Sequence, residues 1–417
     1  MGSVALRVRG LDPSARRGAV ITTIDRVECI HLRFPMPMDR TFSTPGGPVH
    51  GRLTTIIRLT TDDGLTGVGS AYAHPALVQA AVDHLTPFVV GYDPRQTERH
   101  WNRLHGISRW YGRKGAAVSA IGGIDQAIWD LHGKVEGKPV WQLLGGTSPL
   151  VPAYASGMLY SSPDAVAEGC RAAVARGFTR VKMRAGWNWD YDIAAVAAAR
   201  DAIGPDRDLM VDGTWRFSLA EALEFAPVLE DHRVFWFEEP LASDDFDEFV
   251  QLRAATSVPL ACGENEFAIH GFREWIRTGS IDIVQADASR AGGITEVMKI
   301  AGEARAAGLR FAPHTWCDAV AVVANAHAVA ASPNGITVEI DQTGNRFIEE
   351  LLGGPLQVVD GMIDLGHRPG LGIELDDAAV ADMRLADPFH VPDGNYCDVV
   401  YGRGQTRYIG DYVGHRG

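Results

Sequence analysis

Apolar and polar residues alternate through Val27-Glu28-Cys29-Ile30-His31-Leu32-Arg33-Phe34 and again through the segment RLTTIIRL that ends at Leu59. A period of two predicts antiparallel strands between Ile21 and about Leu59. Between them the Gly/Pro-rich segment PMPMDRTFSTPGGPVHG reads as a flexible loop. Over residues 75 to 145 the period becomes helical, most clearly from Ala116 to Leu131 (AAVSAIGGIDQAIWDL), and the pattern stops at Gly145-Gly146. The first third is thus an α+β unit.

Beyond Gly146 the texture changes. Eight short apolar segments follow one another: VPAYAS, RVKMR, LMVDG, VFWFEEP, PLACGEN, IDIVQAD, RFAPHT and ITVEID. Helical spacing separates most of them, as at Pro163–Arg176, Asp192–Ile203, Leu219–Leu229, Phe246–Ala255 and Thr295–Ala307. Strands alternating with helices predict a parallel sheet, and eight repeats favour closure into a (β/α)8-type TIM barrel over an open doubly wound sheet. The first strand-to-helix turn lacks GxGxxG, which argues against a dinucleotide site.

Composition narrows the function. The chain has 417 residues, 46% hydrophobic and 22% charged, which is ordinary for a globular protein. No apolar run approaches the roughly 20 residues that span a bilayer, so no membrane partner is expected. A formal charge of −13 without a Lys/Arg stripe argues against nucleic acid. Five cysteines without CxxC spacing suggest neither a disulfide framework nor a zinc cluster, and fit a reducing cytoplasm. Residues 1–20 contain arginines but no apolar core of signal-peptide length, and read as a mobile leader.

Chemistry in such a barrel sits where its strands end. Asp212, Glu238 and Glu264 close three successive strand segments at equal intervals of 26 residues, which predicts three carboxylates at one height on adjacent strands. One acid at a strand end commonly caps the next helix; three repel one another unless a cation lies between them. Oxygen ligands without Cys or His nearby indicate a hard divalent ion, and Mg2+ suits a few carboxylates plus water and substrate. Glu239 and Glu266 neighbour the trio, with Glu239 expected to face away or to support it. Asp287, His314 and Glu339 end the next three segments, and an Asp beside a His can orient the imidazole and raise its basicity. Lys182 and Arg184 lie two apart on one strand and project into one space, where two cations need anionic partners.

Lys182-Met183-Arg184, Val211-Asp212, Trp236-Phe237-Glu238-Glu239-Pro240, Gly263-Glu264-Asn265, Asp287, His314 and Glu339 together resemble the mandelate racemase subgroup of the enolase superfamily. The resemblance spans nearly the whole chain, including IWDLHGK and VVDGMIDLGHRPGLGIEL. It implies an α+β capping domain over residues 21–146, a modified (β/α)7β barrel over 147–360 and a segment 361–417 that returns to the cap. It also implies that Asp212, Glu238 and Glu264 hold Mg2+, that His314 oriented by Asp287 removes the proton next to a substrate carboxylate, and that Lys182 pairs with that carboxylate. Glu339, protonated, would donate a hydrogen bond to it, and an enediolate would form.

Arg184 decides between reactions. Racemisation needs a base on each face of the carbon, and in the resembling pattern a second lysine supplies it. A guanidinium stays protonated and makes a poor base. Dehydration needs only His314, whose imidazolium can protonate the departing hydroxyl and yield a 2-keto-3-deoxy acid. The resemblance implies acid sugars, aldonates or aldarates, as the small-molecule carboxylate substrates. A racemase or epimerase is the alternative, an inactive binding protein on the same fold the second. Cycloisomerisation ranks lower, because the lactonising branch places lysines on both sides of the metal. His31, Arg33 and Arg40, and Trp110-Tyr111-Gly112-Arg113-Lys114, are candidates to read substrate from the cap, with His31 and Arg184 chosen as substrate-binding residues. The resemblance also implies a homo-oligomer, often an octamer.

Overall fold

The computed structural model describes residues 22–36, 42–44, 47–159, 162–391 and 398–399. The leader, Arg40 and Cys397 lie outside them. The chain opens with β1 (Ile24–Pro35), β2 (Phe42–Thr44), β3 (Gly47–Val49), β4 (Gly51–Thr61) and β5 (Thr66–Ala71). β1 and β5 flank β4, all antiparallel. The segment expected to be a loop holds a short hairpin, β2 against β3. Four helices follow: α1 (Pro75–Leu85), α2 (Thr97–Ser108), α3 (Ala116–Glu136) and α4 (Val140–Leu143). Two-residue alternation gives the sheet two apolar faces. Ile24, Ile57 and Leu59 pack with Val78, Val82 and Ile124 of the helices, while Ile30, Leu32, Phe34 and Ile56 join the core of the barrel.

The barrel strands are β6 (Leu150–Ser156), β7 (Arg180–Arg184), β8 (Asp208–Asp212), β9 (Val234–Glu238), β10 (Leu260–Cys262), β11 (Ile283–Val284), β12 (Arg310–Phe311) and β13 (Val338–Asp341). They pair in the order β12-β11-β10-β9-β8-β7-β6-β13, all parallel. A parallel bridge from Phe311 to Gly335 brings β12 up to the chain entering β13. Seven helices connect the eight strands: α5 (Pro163–Ala175), α6 (Trp189–Ile203), α7 (Leu219–Asp231), α8 (Phe246–Ala255), α9 (Ala268–Thr278), α10 (Ile294–Ala306) and α11 (Ala319–Ala331). Their starts are written in side chains: Ser162, Asn188 and Asp318 accept from the first turns of α5, α6 and α11, and Ser218 with Glu221 forms a capping box on α7. This is the (β/α)7β barrel with an antiparallel cap.

After α12 (Arg346–Glu349), β14 (Met362–Asp364) pairs antiparallel with β6. The chain then passes the cap, where Leu371 N donates to Asp130 of α3 at 2.8 Å. Beyond α13 (Asp377–Asp382), Leu385 N donates to His31 O at 2.8 Å, and β15 (Asp398–Val399) adds to β4. No helix among the described residues is long and apolar enough to cross a membrane.

Candidate active site

Lys182 and Arg184 do share the inward face of β7, and both reach Asp212. Arg184 Nη1 lies 2.5 Å and Lys182 Nζ 3.5 Å from Asp212 Oδ2. Lys182 Nζ also contacts Glu238 Oε1 and lies 2.9 Å from Glu339 Oε1. The carboxylates are the anionic partners that two cations on one face require. Burial opposes the charge on Lys182, but Glu238 and Glu339 hold its pKa well above the ordinary lysine value. Burial likewise opposes ionisation of Asp212, which Arg184 and Lys182 nevertheless hold below the usual carboxylate range.

Asp212, Glu238 and Glu264 offer oxygens that all lie within 4.8 Å of one another. Asp212 and Glu238 are register partners on β8 and β9. Glu264 is not at their register, as equal spacing had predicted: Glu238 pairs with Ala261, and Glu264 follows the end of β10. A turn at Gly263 carries its carboxylate to the others. That glycine has φ +119°, and a Cβ there would stand 2.6 Å from the Phe272 ring. Burial, together with repulsion from Asp212, Glu339 and Glu264 against the pull of Lys182, pushes Glu238 up to about 8. Glu264 Oε2 is buried and accepts no hydrogen bond among the described residues. An all-oxygen trio under mutual repulsion, with an unused buried oxygen, fits a hard divalent cation.

Glu239 turns away from the trio, as expected, and has a specific task. Its carboxylate accepts Gly263 N at 2.8 Å, Trp215 Nε1 at 2.9 Å and Ser243 Oγ at 3.1 Å, which fixes the turn that presents Glu264. Glu266 leaves the cluster and pairs with Lys114 of the cap at 2.7 Å.

Across the mouth, His314 Nδ1 lies 3.1 Å from Asp287 Oδ2, while Nε2 lies 3.5 Å from Glu264 Oε2. The other Asp287 oxygen accepts Ser289 N at 2.8 Å, Ser289 Oγ at 2.7 Å and Asn325 Nδ2 at 2.8 Å. Three donors on Oδ1 leave Oδ2 for the imidazole. Burial favours a neutral ring, but Glu264, the bond to Asp287 and Glu339 outweigh it and place His314 at about 9.

Glu339 differs from the expected neutral acid. Burial raises its pKa, yet Lys182 and His314, with nearby Ser156 and a hydrogen bond from Thr315 N, bring it down to about 2. Two neighbouring cations hold it as a carboxylate.

His31 is also corrected. Its Nδ1 pairs with Thr55 Oγ1 at 2.9 Å and its Nε2 with Gln79 Oε1 at 2.7 Å. Alternation puts Ile30 and Leu32 toward the barrel and therefore His31 toward α1. It is a structural link within the cap. Arg33, Trp110, Tyr111, Arg113 and Lys114 are exposed. Among the described residues, Tyr72 of the cap does approach the dyad, its ring centroid 5.6 Å from that of His314. Sequence pattern carried no signal for Tyr72, because only the docking of cap on barrel brings it there. Ser289 and Asn325 were missed for the same reason: ordinary polar residues acquire a role only once folding sets them against Asp287.

The two parts of this architecture match two known family models. Residues 27–145 match the mandelate racemase / muconate lactonizing enzyme N-terminal domain, and residues 165–379 the enolase C-terminal domain-like family. The chain belongs to the mandelate racemase/muconate lactonizing enzyme family of the enolase superfamily. Among its relatives, the D-galactonate dehydratase of Verminephrobacter eiseniae is 33% identical, over 78% of this chain and 90% of that protein. The D-galactarolactone cycloisomerase of Agrobacterium fabrum is 32% identical, over 84% of this chain and 96% of that one. A racemase from Streptomyces coelicolor A3(2), solved with bound magnesium, superposes with a TM-score of 0.80 at 30% identity, covering 87% of this chain and all of that chain.

Proposed function

We propose that this protein is a Mg2+-dependent dehydratase of an acid sugar, an aldonate or aldarate. The observation that carries the reading is the meeting, in one buried mouth, of the Asp212, Glu238 and Glu264 carboxylates with an Asp287-oriented His314, while Lys182 stands against Glu238. Relatives named as dehydratases of galactonate and arabinonate support the substrate class. Asp212, Glu238 and Glu264 would hold the metal, which supplies concentrated positive charge to acidify the carbon next to a carboxylate.

The chain's own residues then account for the proton. Asp287 occupies Nδ1 of His314, so Nε2 is the nitrogen that takes the proton from the carbon adjacent to the substrate carboxylate. Lys182 and Arg184 bring fixed positive charge to the carboxylate oxygens as electron density moves onto them. The same imidazolium gives its proton to the hydroxyl leaving the neighbouring carbon, water departs, and the enol tautomerises to a 2-keto-3-deoxy acid. Arg184 cannot act as a second base, so inversion is not the expected outcome.

A second reading is carried by relatives named as cycloisomerases, of D-galactarolactone and of 3,6-anhydro-α-L-galactonate. Breaking a ring C–O bond beside the carbon that loses its proton is the same elimination with a tethered leaving group, and His314 alone serves it. Incubation with Mg2+ and a panel of aldonic, aldaric, lactone and anhydro-sugar acids, with semicarbazide detection of 2-keto products and mass measurement, separates the two. Loss of 18 Da from an open-chain acid supports dehydration; an isomeric product from a cyclic acid supports cycloisomerisation. Folded, metal-loaded protein that turns over none of them overturns both.

A further inference from the structure

Tyr154, Met210, Trp236, Ala261, Ile283 and Ala312 form one buried cluster that fills the barrel axis. Side chains two apart on a strand share a face. The next inward ring toward the strand ends is therefore Ser156, Asp212, Glu238, Gly263, Gln285 and His314. Asp212 and Glu238 belong to the acid trio, Gly263 presents Glu264, His314 faces Asp287 and Ser156 adjoins Glu339. Gln285 alone in this ring has no assigned task.

Its surroundings are unusual. Gln285 is fully buried, yet neither Nε2 nor Oε1 has a hydrogen-bond partner among the described residues. A buried polar group left unpaired forfeits the hydration it had in the unfolded chain, and native proteins keep few of them. The backbone bonds Gln285 N to Cys262 O at 2.9 Å and Ala312 N to Val284 O at 3.0 Å set Gly263 and Ala312 beside it. Neither neighbour carries a side chain larger than a methyl group.

We propose that Gln285 is a specificity residue that reads a hydroxyl group of the substrate. The inference rests on reading this mouth as an acid-sugar site. An amide presents a donor and an acceptor together, and a hydroxyl answers both; a carboxylate only accepts, and Lys182 and Arg184 already face that end. An acid lacking the hydroxyl leaves the buried amide unpaired, which is how a dry polar site rejects a deoxy analogue.

The test measures binding. In a His314→Asn background, which removes turnover, calorimetry with Mg2+ compares four- to six-carbon aldonates with their monodeoxy acids, with and without Gln285→Leu. At least one aldonate is expected to bind about tenfold or more tightly than the acid lacking one particular hydroxyl. Gln285→Leu should bring that ratio to within about twofold while leaving the deoxy acid's affinity unchanged, with a thermal midpoint equal to or above the parent's. A ratio that persists in Gln285→Leu overturns the proposal, as does a parent indifferent to every hydroxyl or one that binds no acid; Gln285 would then hold an internal water only. Hydroxyl-dependent binding together with absent turnover by the wild type would sink the dehydratase reading and leave this inference standing.

Discussion

At the scale of single residues the site is a balance of charges in which each group's chemistry is set by its neighbours. Lys182 and Arg184 are fixed cations because Asp212, Glu238 and Glu339 surround them, and Glu339 is a carboxylate for the same reason. His314 is left as the group that can move a proton at the mouth. Replacing it by Asn keeps a polar, hydrogen-bonding side chain but removes the base. His314→Asn is expected to lower kcat by on the order of 10³-fold or more on any acid the wild type turns over, without loss of metal binding. Steady-state kinetics beside a metal titration checks this, and full activity in the variant would end the one-base mechanism. The trio makes a separate prediction that needs no substrate. A cation that binds only the folded state stabilises it by about 2.7 kcal/mol at a hundred times its Kd. The thermal midpoint should therefore rise with Mg2+ and fall on chelation, and Glu238→Gln should abolish that dependence. A wild-type midpoint indifferent to Mg2+ would remove the metal from the reading.

At the scale of elements, α11 shows how an unremarkable helix ties distant parts together. Its His327 accepts Trp141 N on Nδ1 at 3.0 Å and faces Leu371 O with Nε2 at 3.1 Å, joining α4 and the returning chain to the barrel. Both nitrogens are used by the neutral ring, and burial lowers its pKa from 6.5 to about 4. A His depressed in the folded state gives stability that is full above pH 6.5 and lost as the pH falls toward 4, in all about 3 kcal/mol. Asp125 and Asp192, raised by burial to about 7, act with the opposite sign over the same range. The difference between wild type and His327→Gln in denaturant titrations at pH 7 and pH 4.5 isolates the histidine: the variant should lose less stability on acidification, and equal losses would refute its role. The same helix marks where sequence stops being legible. The eight strands could be read because each carries a short apolar run closed by polar residues, and α5 to α8 and α10 because one face is polar. Every residue from Ala319 to Val329 is buried, so α11 offers no period to read. Spacing singles out Glu264 as a candidate ligand, but its place past the strand end depends on the conformation of Gly263. His31 failed for a cause that alternation contains: the strand's barrel face is the one carrying Ile30 and Leu32.

At the scale of the molecule, cap and barrel share one core and many buried polar ties, and so should unfold as one body. Ile30, Leu32, Phe34 and Ile56 of the cap sheet sit in the same apolar cluster as Val338, Ile340 and Phe347. Trp101 Nε1 donates to Gly292 O at 2.7 Å and Trp129 Nε1 to Thr295 Oγ1 at 2.8 Å, while Thr54 and Ser70 both donate to Asp318. The densest tie is Arg52 of β4, buried between Asp341 of β13 at 2.9 Å and Asp398 of β15 at 2.7 Å. Its Nη2 also donates to Trp316 O at 2.5 Å, and the Trp316 ring lies 4.9 Å from the Arg52 guanidinium and 5.3 Å from that of Arg184. Cap, returning chain and active-site mouth therefore meet at one side chain. Arg52→Met fills a similar volume but leaves two buried carboxylates without their cation, a loss of roughly 3–5 kcal/mol. For a chain of this length that corresponds to a fall in Tm of roughly 3–6 °C. Because the apolar cluster and the other ties remain, the variant should still melt in a single calorimetric transition, displaced downward. Two transitions, with the barrel's midpoint unchanged, would mean that Arg52 alone had been joining two independently stable bodies.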